Sequence, residues 1–429
     1  MTTETMTVEK EETKTRRALI SATHCFDGMG GVHADAGVVV MDGRIEAFGE
    51  RAELEGRLDG GCPRRHFEGC TLLPGLIDTH THLIFPGDGT DAWSYCEHSD
   101  GVLLMTAARN AWRTLKAGFT TVADLGARGD VTFQLRDAVR QRLIAAPRLV
   151  LAGYPLTITG GHCWPLDGEA DGVDEIRRSV RRLCKMGADL IKVMLTGGGT
   201  PGTNSRRPAY SRGELQAVVD EAHARDRLVV GHSGAIEATE WALDAGFDVI
   251  AHCHFQTVCG AMDYDAALGR RISEEGVFVN PTLQVNRVRL REPVLGRRGE
   301  ELDSETLEEQ RSRYAQSVSN FNAMRRQGVK LICGSDSGWG WSAFGENARE
   351  LEAMVEAGMD VVEALVSATS VAAASLGLDD VGTLEEGNVA DLLVVRGNTA
   401  ENVMALLDVE SVWTHGDEVD RTAPFPMEV

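Results

Sequence analysis

The chain has 429 residues, 43% of them hydrophobic and 25% charged, the proportions of a globular protein with room for one large domain or two ordinary ones. Its formal charge is −22. With no basic excess to neutralise phosphates, the charge argues against nucleic acid and anionic membrane surfaces as main partners and says little about the small-molecule substrate to which the motifs below point.

Residues 1–16 are polar and charged, without the apolar core of a signal peptide, and read as a disordered leader. No run of eighteen apolar residues follows, so no transmembrane helix is expected. The nine cysteines are scattered and none forms Cys-x-x-Cys, which fits reduced thiols and a cytoplasmic location. "AGVVVMDGRIEAFG", residues 36–49, alternates about Asp42-Gly43, a hairpin signal. "HFEGCTLLPG" reads as a further strand, and near the other end so do "GTLEEGNVADLLVVRG" and "ESVWTHGDEV". Residues 17–74 and 379–429 are therefore expected to form a small β-sandwich domain built from both chain ends.

Between them the pattern changes. "LLPGLIDTHTHL", "FTTVADL", "RLVLAG", "DLIKVML", "RLVVGHS", "DVIAHCHF", "VFVNPTL" and "KLICGSDSG" are short apolar runs separated by helical stretches. One such stretch, "SRGELQAVVDEAHARD", opens with a capping box, Ser211 and Glu214, and carries an apolar stripe. Runs alternating with helices imply parallel strands with right-handed crossovers, and eight of them imply a (β/α)8 TIM barrel over residues 75–378, an α/β fold.

The ends of these runs carry the chemistry. His80 and His82, one residue apart on an extended segment, face the same way. His162, Lys192, His232, His252 and Asp336 follow at later strand ends. Each alone has a plain structural reading: a core histidine, a snorkelling lysine, a helix-capping aspartate. Together those readings fail, because a charged Lys192 between Ile191 and Val193 is costly to bury unpaired. Burial favours its neutral amine, which can add carbon dioxide and become an anionic carbamate able to bridge two cations. Cys163, Cys253 and Cys333 lie near these motifs, but their spacing does not make them a ligand set.

The ordered set His-x-His, Lys, His, His, Asp, with "PGLIDTHTHL", "GGH", "IKVMLTGG", "GHSGAIEATEWALDAGFDVIAH" and "GTLEEGNVADLLVV", resembles the amidohydrolase superfamily over about residues 17–418. Within it the chain is similar to the branch of imidazolonepropionase-related hydrolases and metal-dependent Xaa-Pro dipeptidases. The resemblance implies that His80, His82 and Asp336 bind one divalent ion, zinc being the first expectation. His232 and His252 would bind the second, and carboxylated Lys192 would bridge the two. It implies hydrolysis of a C–N bond by a hydroxide shared between the ions, with Asp336 as general base turned acid. His162 would either donate to the developing oxyanion or hold a neighbouring group in place.

Substrate contacts are open. Arg206, Arg207 and Tyr210 on the loop after Lys192 suit a carboxylate, as in an N-acyl amino acid or dipeptide, although arginines on a loop are commonly just solvated. Trp164, Trp339, Trp341 and Phe344 suit an aryl urea, carbamate or related aromatic amide, or they pack as lids. A one-metal deaminase is a third reading. Relatives of that type carry Glu where "HSGAIE" has Ala235. A homo-oligomer is expected, since barrels of this kind often associate.

Overall fold

The computed structural model describes residues 17–291, 304–423 and 425. The leader expected over residues 1–16 lies outside the described residues.

Both chain ends feed one sheet. Strands β1 (Arg17–Phe26), β2 (Val32–Met41), β3 (Arg44–Glu50) and β4 (Arg64–Pro74) come from the first part of the chain. The β2–β3 turn is Asp42-Gly43, both with positive φ (48° and 83°), the type I′ geometry that matches strand twist. The last part of the chain adds β13 (Leu392–Arg396), β14 (Val409–Thr414) and β15 (Asp417–Glu418), in the order β15-β14-β13-β4-β1-β2-β3. The two ends meet where β13 pairs antiparallel with β4, Leu392 opposite Pro74. The strands expected to form the small domain are one continuous hydrogen-bonded sheet. Bulges interrupt the register at Ala22/His24, Val39/Val40 and Val394/Val395. Such bulges bend and twist a strand, so one continuous sheet can gather Ile20, Val38, Val40, Leu72, Leu392 and Val394 into one apolar cluster.

Pro74 ends β4, and Gly75 passes the chain into β5. A side chain at Gly75 would meet Thr120 Oγ1 at 2.1 Å, so the close approach requires glycine. The eight apolar runs are the parallel strands β5 (Leu76–Thr81), β6 (Phe119–Asp124), β7 (Arg148–Leu151), β8 (Leu190–Met194), β9 (Leu228–Ala235), β10 (Val249–Gln256), β11 (Phe278–Asn280) and β12 (Lys330–Leu331). They form a three-stranded sheet, β5-β6-β7, and a five-stranded one, β12-β11-β10-β9-β8. Backbone bonds also cross between the two sheets. At one junction Asp336 N–H donates to His80 O (2.9 Å) and His82 N–H to Ser337 O (2.8 Å). At the other Leu156 N–H donates to Lys192 O (2.8 Å). Ile77, Val150, Leu190, Val230 and Val249, from five of these strands, and Ile332, just past β12, share one apolar cluster with Ala372 and Leu376.

Helices pack outside. The helix Arg212–His223 starts at the expected capping box, Ser211 and Glu214 bonding reciprocally, and buries Leu215, Val218, Val219 and Ala222. A longer helix, Ser304–Arg326, lies between β11 and β12. No helix among the described residues is long and apolar enough to cross a membrane.

Candidate metal centre

Parallel strands present their C-terminal ends to one side, and there β5, β8, β9, β10 and the turn after β12 bring their polar residues to one cavity of about 250 Å³. His80, His82, His162, Lys192, His232, His252 and Asp336 all line it. Asp336 Oδ1 lies 3.3 Å from His82 Nε2 and 3.5 Å from His80 Nε2. Ligand atoms of His80, His252 and Asp336 lie within 4.8 Å of one another. The rings of His232 and His252 are 4.5 Å apart, as are those of His162 and His232.

Neighbours fix these rings. His82 Nδ1 lies 3.2 Å from Gly126 O, which orients the ring with Nε2 toward Asp336. His252 Nδ1 meets Thr282 Oγ1 at 2.7 Å. His162 Nδ1 meets Thr200 Oγ1 at 2.8 Å, and Thr200 Oγ1 also accepts the Cys163 N–H at 2.9 Å. With the threonine's proton given to Nδ1, His162 would be an Nε2–H donor. The backbone is strained at the same places: His252 (φ 68°), Cys253 (48°), Phe255 (54°) and Asp336 (53°) are left-handed. Such residues cost on the order of 1–3 kcal/mol each and gather where geometry serves function.

The electrostatics suit neutral nitrogen donors. Burial, then neighbouring positive charge, holds His80, His232 and His252 well below the usual imidazole range and pushes His162 down to about 3. Burial pushes Lys192 down to about 8, and its Nζ has no hydrogen-bond partner. Burial pushes the Asp336 carboxyl up, but the hydrogen bond from His82 and the nearness of His82, His252 and Lys192 outweigh it and hold the group below its usual value. Four neutral imidazoles, a carboxylate and an orphaned buried amine are a donor set for divalent cations, the amine once converted to a carbamate.

Of the expected substrate contacts, Trp339 lines the cavity and packs edge-on against Trp93 and Phe85, at 5.0 and 6.0 Å. Trp164, 47% exposed, does not line it. Tyr210 does not either: its ring is buried and its hydroxyl donates to Ala170 O (3.1 Å), because a large ring gains more by packing than by facing water. Trp341 packs over Gly89, and Phe344 is buried beside Gly338. Arg206 borders an adjoining outer cavity with its guanidinium over Gly260, whereas exposed Arg207 borders neither. Sequence reasoning missed Asp78, whose carboxylate ties His80 to the Asp336 turn, and also His254, Asn286 and Arg313, which line the cavity. Asp78 could have been flagged as an acid inside an apolar run. Nothing local marks Arg313 within its polar helix.

Residues 71–419 match the sequence profile of the amidohydrolase family. Among curated proteins the chain is 26% identical to the ochratoxinase of Aspergillus niger, over 93% of this chain and 85% of that one. It is 25% identical to the imidazolonepropionase of Porphyromonas gingivalis, over 87% of each chain. Among solved structures, a Xaa-Pro dipeptidase with methionine bound in its active site superposes with a TM-score of 0.83 at 27% identity, covering 94% of this chain and 99% of that one.

Proposed function

The chain belongs to the amidohydrolase family, and from that premise we propose that it hydrolyses a C–N amide bond in an N-acyl amino acid or dipeptide, using two divalent ions, zinc first among the candidates. In this reading the two parallel sheets are one closed (β/α)8 barrel. His80, His82 and Asp336 hold one ion, His232 and His252 the other, and carboxylated Lys192 bridges them. The observation that carries the reading is Lys192 Nζ, buried without a partner in a cavity it shares with five potential ligands. A carbamate there would turn a costly buried amine into a bridging anion.

Bound in this site, the two cations would polarise the substrate carbonyl and lower the pKa of water between them. The chain's own groups do the rest. Asp336 is already ionised, and its carboxylate takes a proton from the attacking water and delivers it to the leaving nitrogen. His162 donates from Nε2 to the carbonyl oxygen as charge develops there, its orientation fixed by Thr200. Trp339, backed by the rings of Trp93 and Phe85, gives the cavity an apolar wall that would limit water around the acyl group. The name of the Xaa-Pro dipeptidase relative is consistent with this substrate class. That same aromatic wall favours a second reading, an aryl amide, urea or carbamate lacking a carboxylate. A deaminase fits less well, since Ala235 stands where its general acid is expected and Lys192 would be left without a role.

Elemental analysis of the zinc-loaded protein should find two ions per chain. A screen of N-acyl amino acids, dipeptides, aryl ureas and carbamates should then give release from the carboxylate-bearing compounds. Lys192→Ala should lose metal and activity, with partial recovery in formate or acetate. Full activity in that variant without added acid would remove the bridge.

A further inference from the structure

We propose that Arg313, on the helix Ser304–Arg326, is the group that grips the free carboxylate of the substrate and so sets the substrate class. The proposal rests on the hydrolase reading above and assigns to this helix a role expected of the loop that carries Arg206 and Arg207.

Of the described residues that line the inner cavity, Arg313 is the one guanidinium. It also lines two adjoining cavities, of about 260 and 370 Å³, so the three spaces meet at its side chain. Its ion-pair partner is Glu309, 4.0 Å away, with both side chains more than half exposed. Such a surface pair is worth little and is easily exchanged for a better carboxylate. Asn286 and His254 line the inner cavity and the first adjoining one alongside it. A guanidinium fork beside a neutral amide and an imidazole can meet both oxygens of a carboxylate, which a point charge on a lysine does less well.

Charge makes the position informative. In a chain of formal charge −22, an incoming acid meets a repulsive surface except where cations are placed. Arg206, Arg313, Asp263 and Glu309 all border the outer cavity, and of these four Arg313 alone reaches the inner, histidine-lined chamber, so a cation and no acid of that outer set stands at its entrance. An acid held at Arg313 has its carboxylate outside the ring of histidines, leaving the amide to reach His162 and Asp336.

The test uses matched pairs, N-acyl amino acids and the corresponding N-acyl amino alcohols, with the metal-loaded full chain. Wild type should prefer the acids. Arg313→Gln should raise KM for the acids about 10- to 100-fold, with a smaller change in kcat, and should shrink the acid-over-alcohol preference by a similar factor. Arg313→Lys should keep part of that preference. Titration calorimetry with an N-acyl amino acid on a variant lacking the general base, Asp336→Asn, should show the same loss when Arg313→Gln is added. A folded Arg313→Gln variant with two ions and an unchanged preference would overturn the assignment while leaving the hydrolase reading intact, as would a wild type that prefers the alcohols. If the wild type cleaves neither compound, the N-acyl amino acid reading fails. Calorimetry still decides whether Arg313 binds carboxylate: equal binding with and without it overturns the anchor.

Discussion

Asp78 shows how one buried side chain can set a whole site's geometry. It lies on β5 two residues before His80, on the same face, and is fully buried. Its Oδ1 accepts from the backbone N–H of His80 (3.1 Å) and of Ser335 (3.0 Å), and its Oδ2 accepts from Ser335 Oγ (2.5 Å) and Asn347 Nδ2 (2.7 Å). These bonds lock the strand that carries His80 and His82 to the turn that carries Asp336. An asparagine keeps one acceptor but turns an amide N–H toward Ser335 and Asn347, which already donate there. Asp78→Asn should therefore weaken metal retention about 10- to 100-fold, the usual cost of losing a group that orients ligands. Activity should return largely at high added metal, because Asp78 touches neither substrate nor ion. Equilibrium dialysis against a metal buffer measures the loss, and unchanged retention would show that the two segments are aligned without it. The sequence displays Asp78 beside the histidine pair but not its task, since Ser335 and Asn347 stand more than 250 residues away.

At the scale of elements, the helix Leu283–Arg291 is capped from outside. The backbone N–H groups of Leu283 and Gln284 donate to the Glu350 carboxyl at 2.9 and 2.6 Å, and Glu350 belongs to the neighbouring helix Arg349–Glu356. Burial pushes Glu350 up to about 8 from an ordinary 4.5. The folded protein then keeps this proton until about pH 8, while the unfolded chain releases it near 4.5. The unfolded state binds fewer protons across that window, so this group's contribution to stability is full below pH 4.5 and is lost as pH rises toward 8. Urea unfolding should show the decline, on the order of a few kcal/mol at most. Glu350→Gln should be less stable at pH 5, by about 1–3 kcal/mol for the unmatched N–H, yet flatter with pH than wild type. Parallel pH curves for the two proteins would refute it. Elements of this kind separate what the sequence discloses from what it withholds. The Asp42-Gly43 turn, the Ser211 cap and the eight apolar runs are local patterns, each decided by residues within a few positions of one another. The runs also carry their polar ends with them, so seven residues that the structure gathers around one cavity were legible in advance. The cap from Glu350, the burial of Tyr210 against Ala170 and the reach of Arg313 into the cavity depend on which helix or loop lies beside which. Spacing along the chain does not encode that.

Across the whole molecule, the strand that carries the first histidine pair is tied through β4 to a strand from the far end of the chain. β13 alternates perfectly: Leu393 and Val395 pack into the main apolar cluster, while Leu392 and Val394 pack into the cluster of the seven-stranded sheet. On one edge β13 pairs with β4, which runs through Gly75 into β5 and so to His80 and His82. Gly-bounded strands at both ends made the meeting of the termini legible, but the way β13 joins both cores follows only from the register. Burying four such side chains is worth roughly 1.5–3 kcal/mol each, which together rivals the whole net stability of an ordinary domain. A chain ending at Gly387 should therefore fail to accumulate as soluble protein, since β4 would be left as an exposed apolar edge open to other chains. The milder Val394→Ala should fold but lose about 1–3 kcal/mol in urea unfolding, with a proportionate rise in metal loss during dialysis if the strain reaches β5. A monodisperse truncated chain that still binds two ions would mean that β4 and β5 hold their course without β13, and that the seven-stranded sheet contributes nothing to the metal centre.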